Sequence, residues 1–158
     1  MTSSPSRRRP PPSHALSTPA DARYIPIAPQ VTKWFTPPNR RDVVVFDPPA
    51  FFWELSDRKP DGEAVIKRIV AVEGDTVAVR DGRVYVNGEL QEEGFTNGPA
   101  DYSLSEQTVP PGTVFVLGDN RNASFDSHYW GFLPRKNIIG RALFTYWPPN
   151  KLGAIPTD

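Results

Sequence analysis

The chain has 158 residues, with 18 Lys or Arg against 18 Asp or Glu, 19 Pro, two His and no Cys. That length supports one modest core and not two full domains. The missing cysteines exclude disulfides and thiolate metal sites, and two histidines are too few for a His cluster, so neither metal nor cofactor is expected. Zero net charge hides an uneven spread, because Arg7, Arg8 and Arg9 face no acid within residues 1–20 and the rest carries three more acids than bases. The body therefore has no nucleic-acid footprint.

Residues 1–22 form a tail rich in Pro, Arg and Ser. Its composition fits an organelle transit peptide and a solvated disordered leader equally well. No apolar run exceeds four residues, so no segment is expected to span a bilayer. Twelve of the prolines lie in the first 60 residues, which argues against a long helix there, since each fixes φ and removes a backbone donor. The ordered body is expected over residues 23–153, followed by a short tail at 154–158.

Within the body, β-branched and aromatic runs broken by Gly, Pro, Asn and Asp predict strands over Val43–Phe46, 64–72, Thr76–Arg80, Arg83–Val86, Glu89–Leu90, Thr113–Leu117 and 138–147. The expected class is all-β. Asp81-Gly82 and Asn87-Gly88 supply the positive φ of tight hairpin turns and predict a small meander from Thr76 to Leu90. Residues 91–109 are polar and show little periodicity, which predicts a surface excursion.

Lys67 interrupts an aliphatic run. Strand alternation places it with Val65, Ile69 and Ala71, leaving Ile66, Arg68, Val70 and Val72 on the other face. A lysine among aliphatic neighbours loses hydration, which disfavours the ammonium and makes it a candidate general base. The ordinary alternative is a stem lying over apolar surface with the ammonium in water. Downstream, Asp119, Arg121, Asp126 and His128 crowd into ten positions beside Gly118, with Ser124 among them. The apolar run ahead of them and Trp130 behind would fold this block onto the core, where each charge needs a partner.

Two motifs carry a family resemblance. One is Ile66-Lys67-Arg68-Ile69-Val70 with Gly74-Asp75; the other runs from Gly118-Asp119-Asn120-Arg121 through Ser124, Asp126-Ser127-His128 and Tyr129-Trp130-Gly131. Together they resemble the type I signal peptidases, Ser/Lys serine endopeptidases that remove N-terminal targeting peptides. The ending Tyr146-Trp147-Pro148-Pro149 is most similar to the plastid branch, the thylakoidal processing peptidases. The resemblance implies coiled antiparallel sheets around a peptide groove, in which an extended substrate adds a strand.

Carried over, Lys67 is the general base and Ser124 the serine that hydrogen-bonds and orients it. Arg68, Asp119, Arg121 and Asp126 support the site, with His128 a structural partner of Asp126. Ile25, Pro26, Val45, Val65 and Ile66 would line pockets for small side chains. Implied partners are precursor proteins with cleavable targeting peptides, and the implied location is the thylakoid membrane, although this chain as written carries no anchor.

Two departures stand out. The family's nucleophilic serine lies in a Ser-x-Ser-Met-x-Pro-Thr segment after a strand ending Ile-Pro, whereas Tyr24-Ile25-Pro26 here runs directly into Ile27-Ala28-Pro29. Arg41 also replaces the usual Gly of Arg-Gly-Asp. The expectation is a family member without its nucleophile and inactive as written; a skipped exon, a mis-joined gene model or a genuine pseudo-peptidase would each produce it. The alternative function is a non-catalytic peptide-binding or assembly module.

Overall fold

In the computed structural model, the structure describes residues 36–142, 144–145 and 153–154, the last two pairs as backbone. The expected boundary at residue 22 and the pocket candidates Ile25 and Pro26 lie outside the described residues.

The described chain is mostly antiparallel β. Strands β1 (Val43–Phe46), β2 (Val65–Val72), β7 (Thr113–Leu117), β8 (Leu133–Pro134) and β9 (Ile138–Arg141) form a five-stranded sheet in the order β8-β7-β2-β1-β9. Strands β3 (Thr76–Arg80), β4 (Arg83–Val86), β5 (Glu89–Leu90) and β6 (Leu104–Thr108) form a second sheet in the order β5-β4-β3-β6. A short ladder joins β10 (Phe144–Thr145) to β11 (Gly153–Ala154).

The meander follows from its turns. Asp81-Gly82 and Asn87-Gly88 all have positive φ, the geometry that closes two-residue hairpins with the right twist. Gly82 is tied further, because a Cβ there would collide with Pro99 and the carbonyl of Ala100.

The five-stranded sheet carries a core on each face. Val44, Phe46, Ile69, Val114, Val116 and Leu133 pack on one face under Phe52 and Trp130. Val70, Ala71, Phe115 and Leu117 on the other meet Val77, Val79, Val84 and Val86 of the second sheet. Each such fully buried side chain contributes about 1.5–3 kcal/mol by leaving water.

Three features differ from the sequence reading. Residues 50–56 form helix α1 (Ala50–Ser56), a seven-residue helix despite its Phe-Phe-Trp run and the prolines before it. Tertiary packing decides this: Phe52 meets Trp53, Phe125 and Trp130 edge-on, at centroid distances of 5.0, 5.1 and 5.9 Å. Residues 104–108, expected within a surface excursion, pair with β3 as an edge strand whose mainly exposed side chains leave no alternation to read. The strand expected over 138–147 is broken after Arg141.

A bulge also alters β2. Ile69 pairs with Val116 and Ala71 with Phe115, so Val70 is an extra residue. Ala71 therefore moves to the face opposite Lys67 and Ile69, correcting the simple alternation.

Candidate active site

Lys67 sits in the middle of the five-stranded sheet and is half-buried. On one side its cross-strand partner is Val44. On the other, the ladder to β7 ends at the pair Arg68–Leu117, one residue short of Lys67. A Cβ added to Gly118 would run into Oγ and Cβ of Ser124. Lys67 thus shares a face with Val44, Val65 and Ile69, while Ser124 packs on Gly118, the residue after Leu117.

Ser124 is buried, and its Oγ has no hydrogen-bond partner among the described residues. The expected hydrogen bond from Ser124 to Lys67 is therefore not formed in this structure, where the hydroxyl lies over the Cα of Gly118. Lys67 makes a contact of its own.

Around this pair lie two buried arginine clamps. Arg68, 1% exposed, donates Nε and Nη2 to the two oxygens of Asp119 at 2.8 Å each, and Nη1 to the Arg41 carbonyl at 3.1 Å. Arg121, 2% exposed, donates Nη1 and Nη2 to Glu93 at 2.7 and 2.8 Å, and Nε to the Gly118 carbonyl at 3.1 Å. Burial alone would lower the Arg121 pKa, but the hydrogen bonds and charge of Glu93 outweigh it and the pKa is raised. Two-pronged geometry satisfies both ions, which a buried pair requires.

Asp126 is fully buried and accepts Gly118 N at 2.9 Å and His128 N at 3.2 Å, capping helix α2 (Ser127–Trp130). Its Oδ1 lies 2.5 Å from His128 Nδ1. Tyr102 stacks flat on that imidazole at 3.8 Å. Burial, then the charge of Asp126, raises the Tyr102 pKa.

All five described support and orienting candidates therefore meet around Gly118. Sequence reasoning missed Glu93 and Phe95, which approach from residues 91–109; Phe95 places its ring 3.9 Å from the Arg68 guanidinium. Of the pocket candidates, Val45 and Ile66 pack against Val43 and Ala142 on one face. Val65 turns to the other face, beside Phe46. A cleft of about 400 Å³ opens between β4, β5 and the 91–99 segment, with Arg83, Glu92 and Pro99 in its walls and the Arg121–Glu93 pair at its edge.

Among the described residues, no group of three or more His, Asp or Glu is disposed to hold a metal, and no helix is long and apolar enough to cross a membrane.

Residues 9–147 match the family model of signal peptidase, peptidase S26. The chain belongs to this signal peptidase family. It is 42% identical over 151 residues to a signal peptidase I of Leptolyngbya laminosa, covering 86% of this chain and 73% of that one. With thylakoidal processing peptidase 1, chloroplastic, of Arabidopsis thaliana it shares 49% identity over 127 residues, 80% of this chain and 37% of that one. The chain thus spans well under half the length of that plant signal peptidase. The fold matches a signal peptidase I crystal structure from Enterococcus faecalis with a TM-score of 0.53 and 30% identity, covering 67% of this chain and 97% of that one.

Proposed function

We propose that this chain is the peptide-recognising β domain of a type I signal peptidase of the thylakoidal kind, with Lys67 in the general-base position and Ser124 as its orienting neighbour. The observation that supports the reading is that Lys67 adjoins the Arg68–Leu117 pair of the β2–β7 ladder while Ser124 packs on Gly118, directly after Leu117. Arg68, Asp119, Arg121 and Asp126 hold the strand end and the loop that present them. The substrates would be precursors with cleavable targeting peptides, and the site of action the thylakoid membrane; the plastid relatives support both.

The nucleophile is the missing part. No serine occurs between Ser17 and Ser56. Ser124 is too buried over Gly118 to reach a scissile carbonyl, and Ser127 accepts a hydrogen bond from Val116 N inside the core. A base without a nucleophile in reach has no alkoxide to form. The chain as written binds without cutting.

The sheet supports peptide binding at one place. The ladder from β2 to β1 continues to Phe46 and Val65, while the ladder to β7 stops at Arg68 and Leu117. A peptide running beside Val65 and Ile66 would extend the sheet there, with alternate side chains directed to opposite faces.

The test is titration of the labelled chain with a peptide spanning a thylakoid-transfer cleavage site. Binding should place new resonance shifts at Val65, Ile66 and Lys67. Equal affinity for a peptide bearing bulky residues in place of the small ones would overturn the retained groove.

A further inference from the structure

The segment from Glu92 to Asn97 is tied to the Lys67 region at four separate points. Glu93 holds both arms of Arg121. Phe95 lies under the Arg68 guanidinium, at the distance where a cation is attracted to a ring face. The Asn97 amide donates to the Asp119 carbonyl at 3.1 Å, and Arg41 Nη2 donates to the Glu92 carbonyl at 3.2 Å. The first two ties converge on the same place from opposite sides. Arg121, held by Glu93, grips the Gly118 carbonyl. Arg68, seated on Phe95, adjoins Lys67 and grips Asp119 next to Gly118.

We propose that Glu93, assisted by Phe95, is a positioning residue that fixes Gly118, and with it the placement of Ser124 against Lys67, from a segment lying outside the two family motifs. The proposal rests on the reading of Lys67 and Ser124 as a working pair. The physical reason is burial. Without Glu93, Arg121 is a guanidinium 2% exposed to water that has lost its hydrogen-bonded carboxylate, which cannot stay in place at low cost. Its withdrawal releases the Gly118 carbonyl. Gly118 then shifts relative to β2, and Ser124 Oγ, packed on its Cα, moves with it. A loop with no reacting group thus sets the geometry of the amine and the hydroxyl.

Lys67 gives a readout that mere loss of stability does not move. In chain labelled with ¹³C-lysine, the Cε resonance of Lys67, assigned with Lys67→Arg, is followed through a pH titration alongside Tm. Glu93→Gln, which keeps shape and removes charge, and Phe95→Leu, which removes the ring alone, are compared with Asn87→Ala, which removes two hydrogen bonds at the β4–β5 turn. Glu93→Gln and Phe95→Leu should each displace the Lys67 signal and move its midpoint by about half a pH unit. Asn87→Ala should lower Tm and leave the Lys67 signal in place. A Lys67 signal unchanged in both Glu93→Gln and Phe95→Leu, whatever their Tm, overturns the positioning role. Ser124→Ala separates the two ideas, since an unmoved Lys67 signal there sinks the pairing of Lys67 with Ser124, whatever Glu93 does.

Discussion

Arg40 grips both carboxylate oxygens of Asp75, Nε on one at 2.9 Å and Nη2 on the other at 2.8 Å. Asp75 also accepts Val72 N and Asn87 Nδ2, each at 2.9 Å, so one carboxylate pins the β2–β3 turn to the second hairpin. Desolvation pushes its pKa up, but these donors, led by Arg40, outweigh it and the net shift is downward. A depressed folded pKa gives stability that is present above the ordinary carboxylate range and is lost as pH falls through it. Asp75→Asn should cost about 1–3 kcal/mol at neutral pH. That difference, read from urea midpoints, should shrink as the pH drops below about 4.

Tyr102 makes the opposite case. Its hydroxyl is buried without a hydrogen-bond partner among the described residues, while its ring stacks on His128. Tyr102→Phe keeps the stack and removes an unsatisfied group, so Tm at pH 7 should hold or rise. Because the folded phenol has a raised pKa, its contribution is whole below about 10 and is lost above that, as the unfolded phenol ionises. The variant should therefore lose less stability than the parent in an alkaline series.

Gly118 is required for space and not for a turn. Gly118→Ala would drive a methyl into Ser124, at a cost of about 1–3 kcal/mol for overpacking. Ser124→Gly in the same chain should recover part of that loss. A double variant no more stable than Gly118→Ala alone would show that the two residues do not meet as described.

The proposed lack of a nucleophile gives the sharpest functional prediction. Removing the nucleophile from a serine protease lowers the rate by roughly 10⁶-fold, so the purified chain should leave a plastid precursor intact. Inserting a family Ser-x-Ser-Met-x-Pro-Thr segment between Pro26 and Ile27, with a membrane anchor upstream, should restore cleavage. Lys67→Ala should then abolish it. Cleavage by the unmodified chain that disappears in Lys67→Ala would mean that another serine serves.

What could be read in advance depended on how local the signal was. Asp81-Gly82 and Asn87-Gly88 fix their hairpins within two residues, and strands β1, β3, β4 and β7 follow directly from β-branched runs. Lys67 and Ser124 were picked out through family motifs, but where β2 meets β7 beside them depends on a register that no local pattern reveals. Helix α1 was illegible because Phe51, Phe52 and Trp53 favour strands in isolation, and only the aromatic cluster around Trp130 winds them. Glu93 and Phe95 lie in a stretch without periodicity, so their pairing with arginines 28 and 27 positions away belongs to the tertiary fold alone. Arg41 shows the reverse: the departure from glycine was visible, and its φ of 72° shows that the backbone keeps the left-handed shape glycine would favour.

The additional residue at Val70 has a consequence for how the molecule opens. Because β2 turns Ile69 into one core and Val70 with Ala71 into the other, a single strand is the shared wall of both. Neither half can unzip without dismantling the strand that the other half leans on. The amides of Ile69 and Ala71 should accordingly exchange with solvent only through global unfolding, in one cooperative unit. Lys67 and Arg68, on that same strand, take their rigidity from the whole domain, and no partly opened form keeps the site assembled.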